Sequence, residues 1–201
     1  QATTQKALTA ELASRFMVCP INGTAEFEPL TITNVGGLTA DFTVNLLTDN
    51  LLEEWAAHYC DESGCYFGES TFTLAPGETK ELEMGINPYT NSGIGTASLT
   101  ISSDLMKVTK QYDYTVMTRD IELLVIDADG GDNYENYILP SIPENYTKAV
   151  YEYTENAFGE VSFSGLQNIL WFTGDESPAI SKEDVASLEV FLANGGNLLL
   201  T

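Results

Sequence analysis

The chain has 201 residues, of which 43% are apolar, so it can bury one large core or two small ones. Its 30 acidic residues outweigh 8 basic ones, a formal net charge of −22 that excludes nucleic acid and anionic membrane surfaces as partners. The same imbalance suits an extracellular protein and a bound divalent cation.

No stretch reaches 18 apolar residues, so no membrane span is expected. The opening Gln1-Ala-Thr-Thr4 has the look of a processed product, and Gln1 to Arg15 reads as a frayed or partly helical lead-in. Alternating segments follow: Glu26 to Asn34, Thr39 to Leu47, Ser70 to Leu74, Lys80 to Ile86, Gly95 to Ser102 and Lys110 to Thr118. Between them lie Val35-Gly36-Gly37, Ala75-Pro76-Gly77-Glu78 and Asn91-Ser92-Gly93, each a turn signal. Short strands at such spacing predict an antiparallel β-sandwich over residues 1–118. Phe42, Val44 and Leu46 share one face of their strand and should point into its core. Leu30-Thr-Ile-Thr-Asn-Val-Gly-Gly37, Phe72-Thr-Leu-Ala-Pro-Gly-Glu78 and Gly93-Ile-Gly-Thr-Ala-Ser-Leu-Thr-Ile-Ser102 resemble immunoglobulin-like modules of secreted bacterial proteins. The resemblance implies a spacer or docking module beside another domain.

Within the Trp55 to Phe67 segment, Cys60 and Cys65 enclose four residues, a spacing that allows a disulfide across a tight loop. Free thiols, or a metal site with His58, are the alternatives; the metal lacks a fourth nearby soft ligand. Such a disulfide belongs in an oxidising compartment: secreted, at the cell surface, or periplasmic. Cys19 reads as a buried small hydrophobe, since a nucleophilic thiol needs a histidine and the chain has only His58.

Alternation stops at Arg119-Asp120, and Ile121 to Ile126 is a continuous apolar run typical of a strand covered on both faces. Helices are expected over Tyr134 to Leu139 and Tyr146 to Phe158, the latter from Ala149, Val150, Tyr153 and Ala157 at helical spacing. Asn168 to Gly174 reads as a second buried strand. Ser181 and Asp184 predict a capping box for a helix over Glu183 to Ala193, with Val185, Leu188, Phe191 and Leu192 on one face. Asn194-Gly195-Gly196 should end it, and Asn197 to Thr201 is a third strand. The pattern predicts a parallel α/β unit over residues 119–201.

Leu124-Val-Ile-Asp-Ala-Asp-Gly-Gly131, Ile169-Leu-Trp-Phe-Thr-Gly174 and Leu192-Ala-Asn-Gly-Gly-Asn-Leu-Leu-Leu200 resemble the flavodoxin-like domain related to class I glutamine amidotransferases, in the gingipain-like version of secreted bacterial proteins. In catalytic relatives the nucleophile sits on the turn after the strand matching Asn197 to Thr201, where this chain stops. The resemblance therefore implies a partial domain, truncated at its C-terminus, and places a hydrolase's catalytic residues beyond Thr201.

The expected crevice lies at the carboxyl end of the first parallel strand, among Gly130, Gly131, Gly174 and Asp175. Asp127, Asp129, Asp132 and Glu135 could converge there on a hard cation, Ca²⁺ before Mg²⁺. The alternatives are that they accept backbone N–H groups in the turn and cap the next helix, or serve a polar ligand or a catalytic role. Three functions are open: a non-catalytic accessory or binding portion of a secreted multidomain protein, part of a secreted peptidase-like hydrolase, or a calcium-dependent adhesion module. Partners would be other domains of the same protein or cell-surface components. An unpaired edge of the parallel sheet also invites pairing between chains.

Overall fold

A computed structural model describes residues 8–11, 16–131, 134–153, 163, 165–174 and 180–201. In chain order the first strands are β1 (Leu8–Glu11), β2 (Phe16–Cys19), β3 (Ala25–Glu26), β4 (Leu30–Asn34), β5 (Ala40–Asn50) and β6 (Ala56–Asp61). They continue as β7 (Gly64–Tyr66), β8 (Glu69–Leu74), β9 (Thr79–Asn87), β10 (Ile94–Ser103) and β11 (Val108–Thr118). One sheet runs β1-β4-β9-β6-β7, with β3 also on β9; the facing sheet runs β2-β11-β10-β5-β8. All pairings are antiparallel except β2 with β11.

Period-2 alternation builds this sandwich. Phe42, Val44 and Leu46 turn inward, where they join Ile32, Leu82, Met84 and Leu99 in one core. Pro29 lies between β3 and β4, which divide the single strand expected over Glu26 to Asn34. Leu8–Glu11, expected in the lead-in, is instead an edge strand on β4, with Leu8 buried. The fully buried Asn34 is satisfied: its amide donates to the Leu38 and Leu74 carbonyls and its Oδ1 accepts the Gly36 N–H.

Past Thr118 come β12 (Leu123–Asp127), α1 (Glu135–Ile138), a 3-10 turn (Leu139–Ser141), β13 (Lys148–Glu152), β14 (Asn168–Phe172), α2 (Lys182–Ala193) and β15 (Asn197–Leu200). Their sheet is wholly parallel, ordered β13-β12-β14-β15. The expected fold class, an immunoglobulin-like sandwich followed by a flavodoxin-like α/β domain, does not hold. Strands take 52% of the described residues and helix only 11%. The helix expected over Tyr134 to Leu139 is a four-residue turn running into the 3-10 segment. The helix expected from Tyr146 is β13, because Ala149-Val150-Tyr151 is also a β-branched and aromatic run and pairing with β12 selects the strand. Residues 154–158 of that expected helix lie outside the described ones.

The helix α2 has the capping box: the Asp184 N–H donates to Ser181 Oγ at 3.1 Å, and the Ser181 N–H donates to the Asp184 carboxylate at 3.2 Å. It ends with Gly195 at φ +89°, where the Gly196 N–H reaches back to the Phe191 carbonyl. Its buried stripe is narrower than expected. Leu188 and Phe191 are covered, whereas Val185 and Leu192 are 43% and 47% exposed.

The two regions share packing. Phe16 of β2 and Met117 of β11 belong to the core built by Leu124, Ile126, Trp171 and Phe191. Phe16 meets Tyr151 and Phe163 edge-on, at centroid distances of 5.7 and 6.4 Å.

Candidate functional site

The strand β12 delivers Asp127 to the middle of the parallel sheet's carboxyl end, in register with Glu152 of β13 and Phe172 of β14. The chain is held on both sides as it leaves. The Ala128 N–H donates to the Phe172 carbonyl at 2.9 Å, and the Tyr153 N–H donates to the Asp127 carbonyl at 2.7 Å. Gly130 and Gly131 then turn the backbone at φ +78° and +94°, which a side chain would oppose.

The carboxylates in this turn do different work. Asp129 is buried and occupied: it accepts the Gly131 N–H at 3.0 Å and the Tyr134 N–H at 3.3 Å. Asp127 accepts the Asp129 N–H through Oδ1 at 3.3 Å. Its Oδ2 and the Oε2 of Glu135 are buried and have no hydrogen-bond partner among the described residues. One carboxylate oxygen each from Asp127, Asp129 and Glu135 lies within 4.8 Å of the others. At that separation and an effective dielectric of about 20, each like-charged pair repels by about 3 kcal/mol. Three bare anions there call for a proton or a cation.

Burial, then the charge of Glu152, and then that of Asp129 push the Asp127 carboxyl up to about 7, against the Asp129 N–H that pulls it down. Glu152 is raised by burial and by Glu135 and Asp129. The expected carboxylates Asp127, Asp129 and Glu135 are thus brought together, with Glu152 as an addition that the sequence reading missed. Glu152 fell inside an expected helix; the run Ala149-Val150-Tyr151 fits a strand as well, and pairing with β12 is what places it. Asp132 and Asp175 lie outside the described residues. Gly174 closes the far side, since a Cβ there would sit 2.9 Å from the Asp129 side chain and 3.2 Å from the Tyr134 ring.

A second locus lies on the outer face of the first sandwich sheet. Cys60 and Cys65 are disulfide-bonded and stand opposite each other across the β6–β7 hairpin, in place of the metal site with His58 or free thiols. Lys80 clamps this hairpin, at 2.8 Å from Asp61 and 2.6 Å from Glu62. His58 lies across Gly85, where an added Cβ would approach its ring to 2.5 Å, and beside Phe67, which is 76% exposed. Glu26, Glu28 and Glu83 rim the adjoining cavity of about 360 Å³. Cys19, the remaining cysteine, is buried, and burial pushes its thiol up despite Arg119. No described helix is long and apolar enough to cross a membrane.

No family model matches the sequence, and no curated protein matches it. Among solved structures, the chain is similar to an ASH/PapD-like domain of human CEP192, at 12% identity over 59% of this chain and 89% of that one, with a TM-score of 0.36. It is similar to the secreted serine protease VesC from Vibrio cholerae at 18% identity, over 71% of this chain and 27% of that one, with a TM-score of 0.41. The N-terminal domain of PorA is 8% identical over 55% of this chain and 96% of that one, with a TM-score of 0.40. The chain therefore spans about a quarter of VesC.

Proposed function

We propose that the chain is a non-catalytic binding portion of a secreted or surface-displayed multidomain protein. Its recognition surface is the outer face of the disulfide-closed hairpin. The observation that carries this is the exposed Phe67 ring beside His58, which itself lines a cavity together with Glu26, Glu28 and Glu83. A large apolar ring on a stapled hairpin loses little conformational freedom on binding, which favours it as an anchor. The carboxylates around it favour a cationic partner segment, and the net charge of −22 steers such a partner in. The disulfide fits an extracellular or periplasmic setting.

Fluorescence polarisation with a Lys/Arg-rich peptide carrying aromatic residues, and an acidic control of equal length, tests this. Saturable binding is expected for the basic peptide alone, and it should weaken as salt rises. Phe67→Ala and Glu83→Gln should each weaken it about tenfold, a typical loss for an anchor contact. Equal binding to both peptides, or to neither, would remove the proposal. Cleavage of either peptide would place the chain among enzymes instead.

A further inference from the structure

We infer that Asp127, Asp129 and Glu135 hold a calcium ion at the carboxyl end of β12, with the charge of Glu152 beside them. Three of these residues converge to within 4.8 Å, and the fourth is set beside Asp127 by the parallel register of β12 and β13. Convergence of acids alone is common on protein surfaces. Here the Asp127 side chain is only 3% exposed, and its Oδ2 has no donor among the described residues. Glu135 repeats the pattern from α1, with a buried Oε2 that likewise has no described donor. Native structures seldom bury an acceptor unfilled, and two such oxygens in one cluster mark where a ligand's positive charge fits. The described salt bridges both belong to Lys80 in the sandwich, so no described ion pair supplies that charge here.

The donor set selects the ion. All three groups are carboxylates, with no nitrogen or sulfur donor, which favours a hard cation over zinc or copper. The donors come from a glycine turn and a short helical turn, so water would have to complete an irregular shell. Calcium accepts six to eight oxygens in such a shell, whereas magnesium demands a near-ideal octahedron. The ion would tie the turn at positions 127–129 to position 135, adding to the Tyr134 N–H that Asp129 already accepts.

The test uses the whole chain with its disulfide intact, stripped with EDTA, dialysed, and titrated calorimetrically with CaCl₂ and with MgCl₂ at pH 7.5. One calcium ion per chain is expected, with a Kd below about 100 μM and weaker binding of magnesium. The melting temperature should rise by several degrees in millimolar calcium, because the ion binds the folded state. Asp127→Asn should weaken binding at least about 100-fold and Glu135→Gln and Glu152→Gln about tenfold, as ligand or neighbouring charge is removed. Glu83→Gln, on the sandwich face, should bind calcium like the unaltered protein. No saturable heat up to about 5 mM calcium, beyond the weak end of about 1 mM for extracellular modules, would overturn the inference in favour of a proton shared among the acids. Undiminished binding by Asp127→Asn would overturn it as well. If that variant loses the native circular dichroism spectrum, unchanged affinity in both Glu135→Gln and Glu152→Gln is decisive against the site. The hairpin proposal stands or falls separately, since its probe is a peptide and its variants lie on the other region.

Discussion

In the sandwich, Asp61 and Glu62 meet the ammonium of Lys80, and Asp61 accepts two backbone amides; in the parallel sheet, Asp127 and Asp129 also accept backbone amides, but with Glu135 they face one another with no described cation among them. The first cluster rides on antiparallel strands, and its Asp61 is neutralised although the Lys80 and Asp61 side chains are only 10% and 6% exposed, because the lysine reaches it from the neighbouring strand. The second sits at the end of a strand covered on both faces, where Ile126 and Val125 are fully buried and the carboxylates inherit that burial. A cation within reach, more than burial, separates an acid that clasps from one that is left wanting a partner.

The two regions differ in strand chemistry yet share a core, and Phe16 is where that union can be broken. Phe16→Ala should cost about 3–5 kcal/mol, as for a buried ring truncated to methyl. Urea titrations of single-tryptophan variants, with Trp55 reporting the sandwich and Trp171 the parallel sheet, should show coincident midpoints before the substitution and separated ones after it. Coincident midpoints in Phe16→Ala would mean that the shared core is not the joint.

Next in size is the hairpin staple. Replacing Cys60 and Cys65 together by Ser should cost about 2 kcal/mol, the closure entropy of so short a loop. The loss should register with the Trp55 reporter first if the staple matters to the sandwich alone. Ser181→Ala removes one half of the α2 capping box and should cost about 1 kcal/mol, read by thermal melts and seen by Trp171.

The smallest effect expected concerns pH. Burial acts to raise the Asp61 carboxyl, but Lys80 and the Ser63 and Gly64 amides outweigh it and hold the group below its ordinary value. A depressed carboxyl contributes stability above its unfolded value of about 4 and loses it as pH falls through the lower folded value. Melting temperatures from pH 5 down to 2 should therefore converge for the unaltered protein and Asp61→Asn. A constant gap across that range would detach the clasp from stability.

What could be read from the sequence follows the same division. Phe42, Val44 and Leu46 announced their strand because each alternate residue meets either core or water, and turn residues bracket it. The Cys60–Cys65 pair and the Ser181 box were legible because both are local. The β13 strand was not: Ala149, Val150 and Tyr153 satisfy helical and extended spacing alike, and only pairing with β12, more than twenty residues earlier, decides between them. With β13 hidden, Glu152 could not be set beside Asp127, so the candidate acidic site was legible in its local members alone. Leu8–Glu11 was missed for the same reason, since its partner strand lies beyond Pro29. The narrow stripe of α2 reflects the small area that a four-stranded sheet offers a single helix.

The Phe16 contact also has a mechanical meaning. With rings interlocked across the join and Arg119 donating its N–H to the Cys19 carbonyl at 2.8 Å, the passage between the regions behaves as a strut rather than a tether. Load applied at the hairpin would be carried as shear into the parallel sheet. A strut of this kind would fix the spacing and bearing between the hairpin that carries Phe67 and the turn that carries Asp127.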